Sequence, residues 1–468
     1  MKRRSCLAAM IDCKTLPAYF GEPEYRVYFV YENDGGFFQE RMYEMRRILF
    51  VDDNPDEIER LREMLEPMQH EWEVEFAVSG EEALNFMAKS SFDVIVSNMH
   101  MPEMDGVELL DVVMERYPET VRIIHSGHSD REMVLRSVKS AHQFLMKPGS
   151  AETMRHTIER ACKLRDLLRN ETLKKIVTGI KDLPSYPTLY GLIMKEMQSE
   201  EPSIKKIGYI ISQDVSMSAK ILQLVNSAFF GLPLKIADPQ QAAVYLGVDT
   251  LKSLVLSIDV FSSFTEDAEL RGFSLAEMWK HSLMTSRLAR DIARAVTSDG
   301  KAAEEAMIAG ILHDIGKLIL LKAPVQYEKV EDFIEKSGCS RVEAEYAVMK
   351  TSHAELGAYL LGLWGIPDNV VEAVAFHHNP SKLLEDIFVT QGKSSNKGIE
   401  LETVKKQLTG FAIVTAVHVA NALMMQEVSS SRATTFPYID IRYLGKLNVT
   451  DKLPKWAERC NKIRQEDV

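Results

Sequence analysis

The sequence predicts two folded parts, an α/β doubly wound five-stranded parallel sheet followed by an all-α helical domain. Two observations support this prediction. Between residues 46 and 168, short apolar runs alternate with amphipathic helical patterns. After residue 180 the strand pattern disappears and long helical patterns take its place. The length of 468 residues is also enough for two or three domains, at roughly 150 residues each.

The predicted strands of the first part are the apolar runs "RILFV", "VEFAV", "FDVIVS", "VRIIHS" and "HQFLMK". In an open parallel sheet, ligands bind at the carboxyl ends of the strands. Polar residues follow four of these runs at that edge, namely Asp52 and Asp53, Asn98, Ser126 and Lys147. We therefore expect these side chains to form one polar pocket.

At these positions the segment resembles the receiver domain of two-component response regulators, which has a flavodoxin-like fold. The resemblance implies a role for each matching side chain: Mg²⁺ binding for Asp52 and Asp53, phosphate binding for Ser126 and Lys147, and a rotamer-switching aromatic for Phe144. The chain departs from the family at one position, because Asn98 stands where the family has the phosphoacceptor Asp.

Asn98 changes the chemistry expected of the pocket. A carboxylate can attack phosphorus, whereas the amide is neutral and its nitrogen lone pair is delocalised into the carbonyl. Phosphorylation should therefore fail, and the affinity for Mg²⁺ should fall because one anionic oxygen is lost. Three interpretations of Asn98 stay open at this point: a natural receiver without its nucleophile, an engineered substitution, and slow deamidation that restores Asp.

The helical part contains six candidate metal ligands, which are His281, His313, Asp314, His353, His377 and His378. Two adjacent ligands on one helix, joined by histidines from other helices, are typical of metal sites in helical bundles. Imidazole suits transition metals such as Fe, Ni and Zn. The alternative is a set of buried histidines that pack without a metal.

The stretch "HDIGK" resembles the HD phosphohydrolase superfamily, in which the doublet binds metal and the lysine, here Lys317, can contact a substrate phosphate. Two departures weaken that likeness. Asn421 stands where the superfamily has its last Asp ligand, and "HHNPSKLLED" lacks the "HHExxDGxGYP" signature of cyclic-di-GMP phosphodiesterases.

A closer resemblance is to the HDOD domain, the HD-related output domain of bacterial signalling proteins. It is carried by "LPSYPTLYGLI", "IGYIISQDVSMSAKILQLVNSAFFGLP" and "WKHSLMTSRLARDIA". The family is thought to act through protein contacts. For the histidine cluster, three interpretations stay open: a vestigial polar network, metal binding without turnover, and hydrolysis.

The expected organisation has five parts: an N-terminal extension (1–44), a receiver core (45–150), the last receiver helix continuing into a connector helix (151–179), an HDOD domain (180–385), and a C-terminal helix with a tail (386–468). The extension is predicted to be disordered, a start-codon artefact or a small accessory segment. The connector is predicted to be one long helix whose first half packs on the receiver sheet and whose second half is a rigid linker or a dimer seam.

The composition argues against two classes of function, nucleic-acid binding and membrane insertion. The net charge of −12 argues against nucleic-acid binding, no apolar run is long enough for a membrane span, and five scattered cysteines indicate a reduced, cytoplasmic protein. We predict a bacterial two-component signalling protein, partnered by a histidine kinase or another signalling protein, with a homodimer as an option. Its HDOD output would regulate rather than catalyse. The alternative is a metal-dependent phosphohydrolase gated by the receiver.

Overall fold

The computed structural model describes residues 45–127, 137, 140–167, 171–180, 192–193, 195–197, 199, 202–226, 235–257, 273–297, 299–383, 401–426 and 438–466. The extension 1–44, parts of the expected HDOD domain and, in the expected C-terminal part, residues 386–400, 427–437 and 467–468 lie outside these residues. Within the described part, a parallel sheet precedes a helical domain, so the predicted fold class is confirmed.

The sheet has five strands in the order β2-β1-β3-β4-β5, and all neighbouring strands run parallel. The strands are β1 (Arg46–Val51), β2 (Trp72–Ala77), β3 (Val94–Asn98), β4 (Val121–Ser126) and β5 (Gln143–Met146). β1 and β3 lie in the centre with fully buried Ile48, Ile95 and Val94, as strands covered on both faces require.

Helices α1 (Pro55–Leu65), α2 (Gly80–Lys89) and α3 (Gly106–Arg116) follow the first three strands. Each begins at a side-chain cap; Asp105, for example, caps α3 and forms a reciprocal capping box with Glu108. Gly106 allows α3 to start against β3, because a Cβ there would lie 2.1 Å from the Asn98 carbonyl oxygen. This contact fixes the backbone just behind the expected pocket.

The connector contains two helices, α4 (Ala151–Leu167) and α5 (Glu171–Thr178). Residues 168–170 between them lie outside the described residues, so the prediction of one continuous helix is not settled there. Met154, Ile158 and Ala161 in the first half of α4 are buried, and α4 packs on the helix His353–Leu363 of the helical domain. On the sheet domain, its Arg155 pairs with Glu71. Packing of the first half of α4 on the sheet therefore stays a prediction.

The helical domain contains α6 (Ile204–Ile211), α7 (Val215–Val225), α8 (Pro239–Ser257), α9 (Leu275–Thr297), α10 (Gly300–Leu312), α11 (Ile315–Leu321), α12 (Pro324–Ser337), α13 (Arg341–Met349), α14 (His353–Leu363), α15 (Asp368–Phe376), α16 (Leu401–Met425), α17 (Ile441–Lys446) and α18 (Leu453–Glu466). As predicted, α16 packs into the bundle, against α9, α10 and α15. No helix among the described residues is long and apolar enough to span a membrane.

The sheet domain docks on the helical domain through the amino-terminal ends of β4 and β5 and through α4. Gln143 donates to the Gly362 carbonyl at the end of α14 (3.3 Å), and Gln223 of α7 donates to the Ala141 carbonyl (3.3 Å). Arg160 of α4 donates to the Ile366 carbonyl and pairs with Asp368, both at 2.7 Å. The two domains therefore share a partly buried polar interface.

Arg122 of β4 lies beside this interface and is 1% exposed. Its guanidinium donates to the carbonyls of Ser140 (2.6 Å), Thr120 (3.2 Å) and Thr178 (2.6 Å). Burial lowers its pKa to about 9, which still leaves it charged at neutral pH. Since Thr178 ends α5, this one side chain ties the sheet to the end of the connector.

Candidate functional site

The structure brings the predicted pocket residues together at the carboxyl edge of the sheet. Asp52 is 2% exposed, and its Oδ2 lies 2.5 Å from the ammonium of Lys147. The same ammonium donates to Oδ1 of Asn98 at 2.9 Å. Lys147 therefore bridges the acidic side chain to the amide that replaces the phosphoacceptor.

The Asn98 side-chain amide donates two hydrogen bonds and accepts two, all within the chain. Its Nδ2 donates to Asp53 Oδ1 (3.0 Å) and to the His100 carbonyl (2.7 Å). Its Oδ1 accepts from the Met99 backbone N–H (3.0 Å) as well as from Lys147. An Asp could not donate to Asp53, so this closed network depends on the amide.

The other two predicted pocket residues lie on the neighbouring strands. Ser126 ends β4, and its hydroxyl donates to the Gly127 carbonyl at 3.2 Å. Phe144 lies on β5, opposite Ile124, and is buried at 6% exposure. Both therefore occupy the strand positions that the sequence predicted, with Phe144 held inside the core.

A Mg²⁺ ion would have to displace donors that already contact both carboxylates, since Lys147 holds Asp52 and the Asn98 amide holds Asp53. This agrees with a weakened Mg²⁺ site. Sequence reasoning missed His125, which lies beside Asp52 and Glu57 within metal-ligand distance. Burial and the charge of Lys147 lower the pKa of His125 to about 4, so its imidazole is neutral.

In the helical domain, the six candidate ligands converge from four regions of the bundle. His281 lies on α9, His313 and Asp314 lie between α10 and α11, His353 begins α14, and His377 and His378 follow α15. Gly316 allows α11 and α14 to meet, because a Cβ there would lie 1.8 Å from the His353 carbonyl oxygen. The doublet and His353 are thus held together by backbone packing.

Asp314 stands at the centre of the cluster, and its two oxygens face different histidines. Oδ1 lies 3.2 Å from His353 Nε2, whereas Oδ2 lies 3.4 Å from His313 Nε2. Asp314 forms one group of possible ligands with His353, His377 and His378, and another with His281 and His313. We call them the Oδ1 and Oδ2 compartments, after the Asp314 oxygen nearest to His353 and the one nearest to His313. The carboxylate joins two adjacent compartments.

The central histidines are oriented by acceptors on their outer nitrogens. Nδ1 of His313 contacts the Gly310 carbonyl (2.8 Å), and Nδ1 of His377 contacts the Val374 carbonyl (2.7 Å). A carbonyl only accepts, so each Nδ1 donates, and in the neutral ring the lone pair lies on Nε2. Both Nε2 atoms are buried and make no hydrogen bond with any described residue.

Burial keeps most of the cluster neutral. It lowers the pKa values of His377 and His378 well below their usual range, and neighbouring histidines lower them further. Burial also lowers the pKa of His353, but the charge of Glu345 and hydrogen bonds to Asp314 and Glu345 outweigh it, so the net shift is upward. The pKa of Asp314 is lowered because His313 and Lys317 outweigh the effect of burial.

These residues fit a divalent metal ion. Nε2 of His377 is buried and makes no hydrogen bond with any described residue, and unpaired buried polar atoms are costly unless a ligand satisfies them. His353 and His377 also have an acceptor on the outer nitrogen, which is the usual arrangement of histidines around protein-bound metals. Asp314, His353, His377 and His378 could hold such an ion, which would supply a positive charge and open coordination positions.

Two further residues border the cluster on the Oδ2 side. The ammonium of Lys317 lies 2.6 Å from Asp314 Oδ2, so the structure places it against the carboxylate rather than free in the site. Nε2 of His281 lies 2.9 Å from the Asn421 amide oxygen. Asn421 thus reaches the cluster, at the place where the resemblance put the last ligand.

Sequence reasoning missed two residues that support the cluster. Glu345 of α13 is fully buried, and its Oε2 accepts from both Nδ1 (2.7 Å) and the backbone N–H (2.9 Å) of His353. His418 of α16 contacts the His377 carbonyl through Nδ1 (2.7 Å). The only sequence signal for a buried Glu345 is its spacing of four residues from Met349, which places it on the apolar face of the helix.

Comparison with known families decides what these two parts are. The sequence model of the response regulator receiver domain matches residues 48–159, and that of the HDOD domain matches residues 183–380. The chain is a receiver–HDOD protein. Both resemblances inferred from the sequence are therefore confirmed. Receiver domains typically interact with kinases or other signalling proteins, and this combination of domains fits two-component-type signalling.

Individual relatives cover only parts of the chain. An uncharacterized protein of Treponema pallidum is 27% identical over 228 residues, 48% of this chain and 44% of the relative. The hydrogenase transcriptional regulatory protein HoxA of Cupriavidus necator is 33% identical over 122 residues, 26% of this chain and 25% of the relative. The chain thus spans less than half the length of either relative. The solved MmoQ response regulator of Methylococcus capsulatus is 20% identical, covers 59% of this chain and 98% of its own, and has a TM-score of 0.41.

Proposed function

We propose that the chain is a signalling protein whose receiver domain acts without being phosphorylated and whose HDOD domain acts through contacts with a partner. In this proposal, a divalent metal in the His/Asp cluster holds the HDOD helices in one arrangement. The observation that carries it is the position of α14, which begins with His353 in the cluster and, one residue before its end, accepts a hydrogen bond from the receiver at the Gly362 carbonyl. One helix therefore belongs to both the metal site and the docking interface.

Helix α14 supports coupling because it is short, buried and continuous. Its core positions Leu356, Leu360 and Leu361 are fully buried, so the helix moves as a unit with its surroundings. A partner that binds one docked arrangement better than another would shift the balance between them. We expect a kinase or another signalling protein as this partner, and a second copy of the chain is an alternative.

The docking contact can be tested with Arg160→Ala. This change removes the hydrogen bond to the Ile366 carbonyl and the ion pair with Asp368, which lie just after α14. We expect amide hydrogen exchange in α14 to rise about tenfold or more, since a partly buried charged hydrogen bond contributes about 1.5–3 kcal/mol. Peptide-level exchange by mass spectrometry measures it.

The matched control is Arg155→Ala on the same helix. Arg155 is 46% exposed and pairs with Glu71 and Glu159 within the receiver, so its loss should leave exchange in α14 unchanged. Equal protection of α14 in the Arg160→Ala variant and the unmodified protein would mean that the two domains are not coupled through this contact.

The receiver proposal predicts that the chain gains no phosphoryl group from acetyl phosphate and Mg²⁺. The Asn98 amide is a poor nucleophile, and all its hydrogen-bonding positions are used. Intact-mass measurement checks this, with Asn98→Asp as the comparison that should gain one group if the rest of the pocket is competent. A mass gain of one phosphoryl group on the unmodified receiver would refute it.

A second candidate function is phosphoester hydrolysis in the HDOD domain. The observation in its favour is the lysine beside the proposed metal ligand, since Lys317 lies 2.6 Å from Asp314 in a buried, histidine-rich site. Incubation with bis(p-nitrophenyl) phosphate and Zn²⁺ or Mn²⁺ distinguishes the two functions. Release of nitrophenol that disappears in His353→Ala would favour hydrolysis, whereas no release would favour the contact-based output.

A further inference from the structure

We propose that the His/Asp cluster holds one divalent cation, on the Oδ1 side of Asp314, and that Lys317 and the His281–Asn421 pair take the place of a second cation on the Oδ2 side. This inference rests on the metal centre proposed above. It adds the number of ions bound and the side of Asp314 on which the ion binds. The two compartments share the Asp314 carboxylate, and they differ in the side chains that surround it.

The Oδ1 compartment has the spacing of a single tetrahedral site. His353 Nε2 lies 3.2 Å from Asp314 Oδ1 and 3.1 Å from His378 Nε2. Ligand atoms about 2.0–2.1 Å from a tetrahedral Zn²⁺ lie roughly 3.3 Å from each other. His377 completes the group of four, and its buried Nε2 makes no hydrogen bond to a described residue. One ion therefore fits between these ligands with little rearrangement.

The Oδ2 compartment already contains a positive charge. The Lys317 ammonium donates to Asp314 Oδ2 at 2.6 Å, the oxygen that a second ion in this compartment would have to bind. A dication and an ammonium on the same oxygen would be within a few ångströms of each other, where repulsion in a partly buried site is strong. The ammonium thus neutralises Oδ2 in the way that a second metal would.

The remaining ligands of the Oδ2 compartment are also weakened. Nε2 of His281 makes a hydrogen bond with the side-chain amide of Asn421 at 2.9 Å. The bond can form whether the oxygen or the nitrogen of the amide faces the ring, because the imidazole nitrogen can donate or accept. A neutral amide brings no charge to balance a second dication, whereas a carboxylate at that position would. Of this group, His313 alone has an Nε2 that makes no hydrogen bond to a described residue.

The stoichiometry can be measured on the full-length protein. The chain is stripped with a chelator, incubated with excess Zn²⁺, passed through gel filtration and analysed for zinc per protein. We expect one equivalent. We also expect the His353→Ala variant to lose this zinc and the His281→Ala variant to keep it. Of these two histidines, only His353 belongs to the Oδ1 compartment. Two equivalents in the unmodified protein would overturn the single-cation inference while leaving the metal centre intact, and none would overturn both.

The same measurement on a double variant tests why the second position is closed. Lys317→Met with Asn421→Asp removes the ammonium and adds a carboxylate beside His281, so bound zinc should rise from one equivalent to two. Lys322→Met, which changes an exposed lysine near the end of the same helix, should leave one equivalent. If a double variant that is folded by circular dichroism stays at one equivalent, Lys317 and Asn421 do not set the stoichiometry.

Discussion

Gly316→Ala is expected to destabilise the HDOD domain by about 3 kcal/mol or more, at the upper end of overpacking effects. A Cβ at this position would lie 1.8 Å from the His353 carbonyl oxygen and 2.9 Å from the Gly357 backbone nitrogen. Both neighbours are backbone atoms of α14, so the helix itself must move. The variant should also lose bound metal, because His353 would move away from Asp314.

Chemical denaturation, followed by circular dichroism, measures the loss of stability, and zinc analysis measures the loss of metal. Gly300→Ala is the matched control, since a Cβ at Gly300 has open space and the residue begins α10. It should be neutral or slightly stabilising. If Gly316→Ala has the stability and zinc content of the unmodified protein, the close approach of α11 and α14 described here is wrong.

Arg122→Met is expected to cost about 2–4 kcal/mol, because three buried backbone carbonyls lose a charged donor and an unsatisfied group costs about 1–3 kcal/mol. The loss is limited because His142 Nε2 still contacts the Thr178 carbonyl (3.0 Å) and because a buried charge is removed. The carbonyls belong to Thr120, Ser140 and Thr178. Since Thr178 ends the connector, the receiver should also separate from the HDOD domain during unfolding. We expect two denaturation transitions in the variant and a single one in the unmodified protein.

Arg116→Met provides the comparison, since Arg116 is an exposed arginine in the last turn of α3. That change should be within about 0.5 kcal/mol of the unmodified protein, as is usual for surface substitutions. The two unfolding curves can be followed by tryptophan fluorescence, because Trp72 lies in the receiver and Trp364 follows α14. A single unshifted transition in Arg122→Met would show that the interface does not depend on this side chain.

The sheet could be predicted because each strand is a local apolar run in the sequence. The pocket could be predicted because the carboxyl ends of parallel strands lie at the same edge of the sheet. Strand β3 ends at Asn98 and β4 ends at Ser126, where the apolar runs end. The hydrogen bonds of Asn98 could not be predicted. They depend on the side-chain torsions of Asp53 and Lys147, which lie far from Asn98 in sequence and close to it in space.

The histidine cluster could be anticipated as a set of residue types, but its division into two compartments could not. That division depends on which oxygen of Asp314 faces His353 and which faces Lys317. The buried charges of Glu345 and Arg122 were also out of reach, because a sequence pattern predicts apolar burial and gives no rule for a charge that is buried with partners.

Strand β4 carries Arg122 near its beginning and Ser126 at its end. At about 3.3 Å per residue, roughly 13 Å separate the docking interface from the pocket along this strand. A protein that binds the pocket edge therefore need not compete with the HDOD domain for surface, and both can occupy the sheet together. Binding at one edge would then add to binding at the other instead of displacing it, which allows a three-component assembly with the receiver sheet in the middle.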